Sequence, residues 1–494
     1  MHNIRRCLGY ISRKRHSLPI SSFIRHVSDK SSKKDIQWLW EADRGVKSFH
    51  EAFRNGTRMG LLEITLNTDQ PIQPDLFSQA VQHLYKKTPF LQISLQKRND
   101  VLWFCQPSEL QIDFEIANGK RSTNDIIYQT WKAGYRPDFT QWKIRLIPKN
   151  IETPCPMEGI RDKFPYQYDL FFTIHHGWCD GMGVLHVLST LQKILNDMLG
   201  GRPVIDEDFS AFSLDHELID MMNRVKENFQ RDRKHFEKVK STIPPSTRIP
   251  YMFQAFPPPK ISKPFTSHIK STLDPLVVEN FRKISKEAGI KLNSSIMAVI
   301  ATAIVELVKS KGIVHDTYDI IGNIQTDQRR YLKPSNVSHK CGNYSIPMSY
   351  TMRVDKNIRD NFWDFCKVMN TEVQGLLTQG YPLEQGVAKS LIDAELPVSD
   401  YTNIVRPAVH DFTITNLGDV SKFFSSDAEH VRITRLASVN FFHRYLHNSF
   451  HELSYLWNRM YYTFSYATNY FSDETAQLLN DKIISLLREL SRKP

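Results

Sequence analysis

The sequence has no apolar run that approaches the ~20 residues needed to span a bilayer. The best candidate, Ile296 to Leu307, is twelve residues long and contains Glu306, so it predicts a buried helix and no transmembrane segment. Cysteine is also scarce. The six cysteines in 494 residues form no CxxC pair and no regular spacing, which argues against a disulfide framework and indicates reduced thiols in an intracellular compartment.

Acidic residues are nearly absent from the first 34 positions. This segment holds nine lysines and arginines against one acid, Asp29, and so carries +8 of the net charge of +11. A basic, serine-rich, acid-poor segment is typical of a mitochondrial transit peptide. Residues 1–34 are therefore predicted to be a disordered targeting segment of a mitochondrial protein. The alternative is a cytoplasmic protein with a basic arm that binds membrane or RNA.

Outside this segment the sequence shows no basic patch and no nucleic-acid-binding motif, so no nucleic-acid partner is expected. Hydrophobic residues make up 41% of the chain, which is enough for substantial cores. A chain of this length predicts two domains of about 200 residues each.

The most informative stretch joins a predicted strand to a predicted helix. Residues 169–174 are apolar, aromatic and β-branched, as in a buried strand. Within residues 184–195, one helical face carries the following five residues: Val184, Leu185, Leu188, Leu191 and Leu195. Between them lie His175, His176, Asp180 and three glycines. Such a junction exposes its polar residues at the end of a sheet, beside the free N–H groups of the helix.

Histidine is the side chain best suited to move a proton near neutral pH, so His176 is a candidate general base. Neighbouring strand residues point to opposite faces, so His175 is expected to be tied into the protein. Asp180 could orient an imidazole or pair with an arginine and hold the loop. Gly181 allows close backbone approach or a positive φ at the start of the helix.

Other interpretations of these residues are open at this point. A pair of adjacent histidines is commonly structural. A metal site built from His176, Cys179 and Asp180 lacks a second ligand cluster of convincing spacing. Cys179 could be a nucleophile, although nothing in the sequence marks its thiol as activated.

The seven residues from 175 to 181 read His-His-Gly-Trp-Cys-Asp-Gly and match the HHxxxDG motif of a large acyltransferase superfamily. The chain thus resembles chloramphenicol acetyltransferase, the condensation domains of nonribosomal peptide synthetases, and the alcohol O-acetyltransferases. The resemblance implies that His176 is the general base, that Asp180 is chiefly architectural, and that N–H groups near Gly181 stabilise the oxyanion. It also implies direct transfer, without an acyl-enzyme or a metal.

The rest of the chain resembles the same superfamily in the order of its elements. Residues 35–200 form the predicted N-terminal half, in which Trp38 to Trp40 begin a helix or the approach to one. Residues 201–263, rich in proline, form a crossover, and residues 264–494 form the C-terminal half. The implied fold is α/β, with two chloramphenicol acetyltransferase-like halves, each a mixed sheet with flanking helices, arranged as a V-shaped pseudo-dimer.

Two phrases in the second half extend the resemblance. Residues 325–330 contain a D-x-R phrase, which Pro334, Gly342 and Asn343 follow in the family's order; the pattern implies that Arg329 or Arg330 pairs with Asp180. Residues 415–419 resemble the short asparagine–glycine phrase of alcohol acyltransferase-like members, in place of DFGWG. The resemblance also implies a substrate tunnel that reaches His176 from both sides. The candidates to line this tunnel are the following three residues: Trp178, Asn416 and Gly418.

Three histidines, His443, His447 and His451, are spaced by four residues. On a helix this spacing would align them as metal ligands. However, residues 436–445 are better interpreted as a strand and residues 446–449 as a turn, so the three are not expected to converge. The sequence predicts no metal site.

The predicted activity is transfer of an acyl group from a CoA thioester to a hydroxyl or amine. Acyl-CoA is then a co-substrate, no cofactor is bound, and the acceptor is a small alcohol, an amine or a lipid. The protein is expected to be a monomer. Two alternatives are a condensation reaction with a carrier-protein thioester and a non-catalytic relative that binds a lipid or carrier protein.

Overall fold

The structure is a computed structural model that describes residues 36–54, 59–117, 121–136, 138–150, 152–204, 216–333, 342–393, 408–442 and 447–492. Three features named above lie outside these ranges: the targeting segment predicted over residues 1–34, Pro334 and His443. The targeting role and the domain boundaries stay predictions.

Helices and strands are interspersed along both halves of the chain. The helices are α1 (Arg44–Arg54), α2 (Pro74–Lys87), α3 (Thr123–Lys132), α4 (Ile160–Lys163), α5 (Gly181–Leu199), α6 (His216–Arg231), α7 (Arg233–Lys240), α8 (Tyr251–Ala255), α9 (Pro275–Glu287), α10 (Leu292–Ser310), α11 (Phe362–Thr378), α12 (Tyr381–Asp393) and α13 (Asp473–Leu490). The strands are β1 (Ile36–Glu41), β2 (Met59–Thr68), β3 (Ser94–Arg98), β4 (Val101–Pro107), β5 (Gln111–Ile116), β6 (Phe139–Pro148), β7 (Tyr166–Ile174), β8 (Thr266–Leu273), β9 (Thr317–Asp327), β10 (Ser345–Asp355), β11 (Phe412–Asp419), β12 (Val431–Phe441), β13 (Ser449–Leu456) and β14 (Arg459–Ala467).

Within the described residues these strands form three sheets. The first half contributes a small sheet, β1-β4-β3, and most of a five-stranded sheet, β12-β2-β7-β6-β5. The second half contributes a six-stranded sheet, β10-β9-β11-β13-β14-β8. Both larger sheets mix parallel and antiparallel pairs. The mixed α/β fold is as predicted, whereas the V-shaped arrangement stays a prediction.

Residues 38–40 do not begin a helix. They lie in β1, which pairs antiparallel with β4, and Trp38 lies opposite Cys105. Tryptophan suits a half-buried strand better than the start of a helix. Trp40 also packs against Phe104 of β4, with ring centroids 5.5 Å apart.

One strand of the second half completes the large sheet of the first. β12 pairs antiparallel with β2 over its whole length, although about 370 residues separate Arg435 from Glu63. The buried carboxylate of Glu63 accepts a hydrogen bond from Arg435 at 2.6 Å and another from Lys270 of β8. Burial alone would raise the pKa of Glu63, but the two cations outweigh burial and lower it. Glu63 therefore joins the five-stranded sheet to the six-stranded one.

Helix α10 is the one helix of the described residues that is long and apolar enough to cross a membrane. Its most apolar 18-residue window is 78% buried within the protein. It packs against α8, α11 and α13 in the core of the second half, as a helix that is hydrophobic all round does in a large folded domain.

Candidate active site

The junction between β7 and α5 forms as the sequence predicts. β7 lies between β2 and β6 and is buried along nearly its whole length, and the N–H of His175 extends the ladder to the carbonyl of Gln141 at 2.9 Å. The chain then turns, and α5 begins at Gly181. Asp180 caps the helix, because its Oδ1 accepts the N–H of Gly183 at 3.0 Å.

His175 points into the protein. Its side chain is fully buried and stacks on Trp178, with ring centroids 4.6 Å apart and planes 12° apart. Its Nδ1 accepts the N–H of Gly177 at 3.0 Å. Burial, aided by the positive charges that His50 and His176 would carry, lowers the pKa of His175 well below its usual value. The ring is therefore neutral, and it supports the loop from below.

His176 faces the opposite side and lies at the surface of two cavities. Its Nδ1 is 2.8 Å from the main-chain carbonyl of Cys179. A carbonyl oxygen only accepts hydrogen bonds, so Nδ1 carries the proton and the lone pair of the neutral ring is on Nε2. The side-chain amide of Asn343 donates to the carbonyl of His176 at 2.8 Å. Contacts within the loop and from the second half thus fix the backbone and the tautomer of His176.

Asp180 and Arg329 form a buried, two-pronged ion pair between the two halves of the chain. The guanidinium donates from Nη1 to Oδ2 at 2.7 Å and from Nη2 to Oδ1 at 3.1 Å. The N–H of Tyr344 also donates to Oδ2, at 2.9 Å. The side chains of Asp180 and Arg329 are 7% and 8% exposed, whereas Arg330 is exposed. Of the two arginines that the family pattern offered, Arg329 makes the pair.

Burial alone would lower the pKa of Arg329, but the Asp180 carboxylate outweighs burial and raises it. The guanidinium also lies over the ring of Tyr344, 4.2 Å from its centroid. With every oxygen of Asp180 in a hydrogen bond to Arg329, Gly183 or Tyr344, this carboxylate is built into the architecture of the junction.

Two cavities meet at His176. The first, here called the Asn440 cavity, has a volume of about 110 Å³ and is walled by β2, β7, β11, β12 and the start of α5. The second, here called the Arg44 cavity, has a volume of about 260 Å³ and is walled by α1, α12 and the start of β10. The residues that line both are His176, Gln325, Ser345 and His447.

Two tunnel candidates are displaced by one residue from the positions that line the Asn440 cavity. Thr415 and Leu417 line it, whereas Asn416 and Gly418 do not. Side chains alternate across a strand, so the amide of Asn416 points to the other face, 3.4 Å from Asn293. Gly418 has φ +71° at an irregularity in the pairing of β11 with β13.

The third tunnel candidate, Trp178, lies in the core of the first half. It is 2% exposed and packs between His175 and the edge of Phe104. Gly181 does line the Asn440 cavity, and a larger residue there would require the side chain of Leu417 to move. A Cβ at this position would lie 2.5 Å from Cδ2 of Leu417.

Three residues shared by both cavities were not singled out as site residues from the sequence. Gln325 and Ser345 lie on paired strands, and Ser345 Oγ donates to Gln325 Oε1 at 3.2 Å. His447 precedes β13, and its Nδ1 is 3.1 Å from the hydroxyl of Thr413. The described residues contain no cluster of three or more histidine, cysteine or acidic side chains that could hold a metal ion.

Comparisons with known proteins agree with this architecture. The sequence profile of the condensation domain family matches residues 34–494. Among solved structures, the fold is similar to a trichothecene 15-O-acetyltransferase from Fusarium sporotrichioides (TM-score 0.64, 10% identity, 94% of this chain and 97% of the other). It is also similar to polyketide synthase associated protein 5 from Mycobacterium tuberculosis (TM-score 0.61, 13% identity, 93% of this chain and 99% of the other).

A third similar structure is the condensation domain of a monacolin K polyketide synthase (TM-score 0.64, 11% identity, 93% of this chain and 98% of the other). At these identities the three likenesses establish the fold. Comparison with curated protein sequences gives no match.

Proposed function

The chain belongs to the condensation domain family, as its motif predicted, and on this premise we propose that it transfers an acyl group from a CoA thioester to a hydroxyl or amine, with His176 as general base. The observation that carries the proposal is the position of His176 where two cavities meet, with its tautomer fixed by Cys179. Such an arrangement suits a reaction in which donor and acceptor approach one histidine from two sides.

In the proposed reaction the acceptor's oxygen or nitrogen attacks the thioester carbonyl while Nε2 of His176 removes its proton. The tetrahedral oxyanion then collapses, the carbon–sulfur bond breaks, and the imidazolium returns the proton to the departing thiolate. N–H groups in the first turn of α5, beside Gly181, are the proposed oxyanion donors. Asp180 acts through Arg329 and the helix cap, by holding this turn in place.

The Arg44 cavity is the proposed entrance for the acyl donor. It is lined by Arg44 and Lys389, with Asp393 as its acidic residue, and cationic side chains of this kind are common partners of phosphate. Both free CoA and a carrier protein present a phosphorylated pantetheine arm, so the second candidate donor is a carrier-protein thioester. A non-catalytic relative that binds a lipid or a carrier protein is the third alternative.

A thiol-release assay with purified protein tests the proposal. Acetyl- to palmitoyl-CoA and the matching carrier-bound thioesters would be supplied with a panel of alcohols and amines, and the acylated product identified by mass spectrometry. Acceptor-dependent release from CoA supports the proposal, and release from the carrier alone favours condensation. Binding of acyl-CoA with no acceptor-dependent release under any condition would favour a non-catalytic role.

We further propose that residues 1–34 direct the protein to mitochondria, where it would use the local pool of acyl-CoA. The support is the +8 charge of this segment. A fluorescent reporter fused to residues 1–34 should co-localise with a mitochondrial marker, and a fusion with its nine basic residues replaced by glutamine should not. A wild-type fusion that stays diffuse in the cytosol would contradict the proposal.

A further inference from the structure

Asn440 is held in the wall of the Asn440 cavity by a chain of buried polar groups. Its Nδ2 donates to Oε1 of Glu452. Oε2 of Glu452 lies 3.3 Å from the hydroxyl of Ser465, and that hydroxyl lies 2.8 Å from Nδ1 of His268. The four residues come from β12, β13, β14 and β8. This series of hydrogen bonds therefore connects the five-stranded sheet, whose strand β7 leads to His176, with the six-stranded sheet of the second half.

Glu452 is 1% exposed. Burial, partly offset by the hydrogen bond from Asn440, raises the pKa of Glu452 to about 8, so this acid is neutral at neutral pH. A neutral acid buried with a partner for each oxygen is a rigid support. Because Nδ2 of Asn440 is directed at Glu452, the rest of the amide, its Oδ1, has a defined direction.

Oδ1 of Asn440 is directed to the space beside the proposed base. The space is open because residue 60 on β2 is glycine. A Cβ at Gly60 would lie 3.3 Å from Oδ1 of Asn440 and 3.9 Å from Cδ2 of His176. A hydrogen-bond acceptor of fixed orientation and the edge of the histidine thus border the same small volume.

The remaining wall offers one other amide, that of Gln325, whose Oε1 already accepts a hydrogen bond from the hydroxyl of Ser345. Seven leucine, isoleucine, valine and phenylalanine side chains line the cavity, in addition to the hydroxyls of Thr415, Ser438 and Ser345. A hydroxyl rotates and serves as donor or acceptor, so it tolerates many partners. An amide oxygen accepts only, and a substrate that offers it no donor leaves it unpaired in a largely apolar cavity.

We propose that Asn440 is a specificity-determining residue, whose Oδ1 accepts a hydrogen bond from a second O–H or N–H group of the substrate that enters this cavity. Glu452 is the positioning residue that orients the amide. The substrate class is a small molecule with a hydrogen-bond donor near the reacting group: a diol or amino alcohol as acceptor, or a hydroxylated acyl chain on the donor. This inference rests on the proposed function and names the substrate chemistry of its site.

The test measures binding, which requires no turnover. Dissociation constants from ligand-observed NMR would compare two matched pairs: butan-1-ol with butane-1,3-diol, and butyryl-CoA with 3-hydroxybutyryl-CoA. For the wild type we expect the hydroxylated member of at least one pair to bind about tenfold more tightly, the effect of one good hydrogen bond. The pair that shows the preference identifies the acceptor or the acyl chain as its source.

Four variants locate the preference. Asn440→Leu should abolish it with little change for the unhydroxylated member, because the side chains are similar in size. Glu452→Gln should preserve it, since glutamine resembles the neutral acid, and Glu452→Leu should lose it. Asn440→Ala also removes the amide and introduces a side chain smaller than leucine, so it serves as the second test if Asn440→Leu disturbs the fold. Circular dichroism checks the folding of all four variants.

The outcomes separate this inference from the proposed function. No preference in the wild type for either pair, or an equal preference in wild type and folded Asn440→Leu, would overturn the role of Asn440. Selective binding without acceptor-dependent thiol release would leave the role of Asn440 intact and contradict the proposed acyl transfer. Acceptor-dependent thiol release without selective binding would support the proposed acyl transfer and contradict the role of Asn440.

Discussion

The two cavities that meet at His176 differ in volume, in charge and in the elements that form them. Among the described residues, the Asn440 cavity has one charged lining side chain other than histidine, Asp180, which is neutralised by Arg329. The Arg44 cavity has more than twice the volume and is lined by Arg44, Lys389 and Asp393. One cavity is thus suited to a small neutral group and the other to a charged arm.

The difference follows from secondary structure. Strands of two sheets wall the Asn440 cavity, and side chains that alternate along buried strands are mostly apolar or paired. Helices α1 and α12 wall much of the Arg44 cavity, and a surface helix keeps charged residues on the face away from the core. A single histidine at the meeting point can therefore serve two reactants of unlike polarity.

The largest expected effect comes from removing the residue that both cavities share. His176→Ala should lower the rate of acyl transfer at least about a hundredfold, and up to about 10⁴-fold, because no other group would remove the acceptor's proton. His83→Ala, on α2 and outside both cavities, is the matched control. Rates come from thiol release, and folding from thermal melts. Unchanged turnover in a folded His176→Ala protein would refute the mechanism.

Breaking the ion pair in the wall of the Asn440 cavity should lower stability as well as activity. Asp180→Ala leaves the buried guanidinium of Arg329 without its carboxylate, which typically costs about 3–5 kcal/mol of unfolding free energy. The double variant Asp180→Ala with Arg329→Met should recover part of this loss, as denaturant titration would show. Normal unfolding with lost activity would instead indicate that Asp180 acts directly in the reaction.

These two residues also show how far the sequence leads. Strand β7, the loop and α5 follow from local patterns, since apolar strand residues, polar loop residues and an aspartate cap need no distant information. Arg329 came from a family phrase, but only the structure separates it from Arg330. The rest of the site depends on pairing between strands that are far apart in the sequence. The register of β11 exposes Thr415 and Leu417 to the cavity in place of Asn416, and no local signal places His447 at the two cavities that His176 lines.

Glu452 affects the Asn440 cavity through its hydrogen bond with Asn440, and it lines neither cavity. Burial raises its pKa to about 8 in the folded protein, above about 4.3 in an unfolded chain. Between these values the unfolded state binds fewer protons than the folded state, so this residue makes stability fall as pH rises from about 4.3 to 8. Nearby Lys270 opposes the shift, and His268 is held neutral in this range because burial lowers its pKa to about 3.

Glu452→Gln removes this titration. The melting temperature of the variant relative to wild type should therefore increase between pH 5 and pH 9, as measured by calorimetry at constant ionic strength. Other titrating groups contribute equally to both proteins and cancel in the difference. A difference that does not change with pH would mean that Glu452 titrates normally and would weaken the account of Asn440 as a rigidly held amide.

The smallest expected effect is in the Arg44 cavity. Arg44 and Lys389 are half-buried at its wall, where attraction to a phosphate is moderated by solvent. Arg44→Ala or Lys389→Ala should raise the KM for acyl-CoA about three- to tenfold, leave kcat nearly unchanged, and lose this effect in high salt. Acyl-pantetheine, which lacks phosphate, is the matched substrate and should show little change.

Because Asn440→Leu should alter selectivity without this salt dependence, the two sets of variants test separately whether the charged cavity takes the donor and the neutral one the small group. Equal losses with acyl-CoA and acyl-pantetheine would show that these cations support the fold of α1 and α12 and do not bind phosphate.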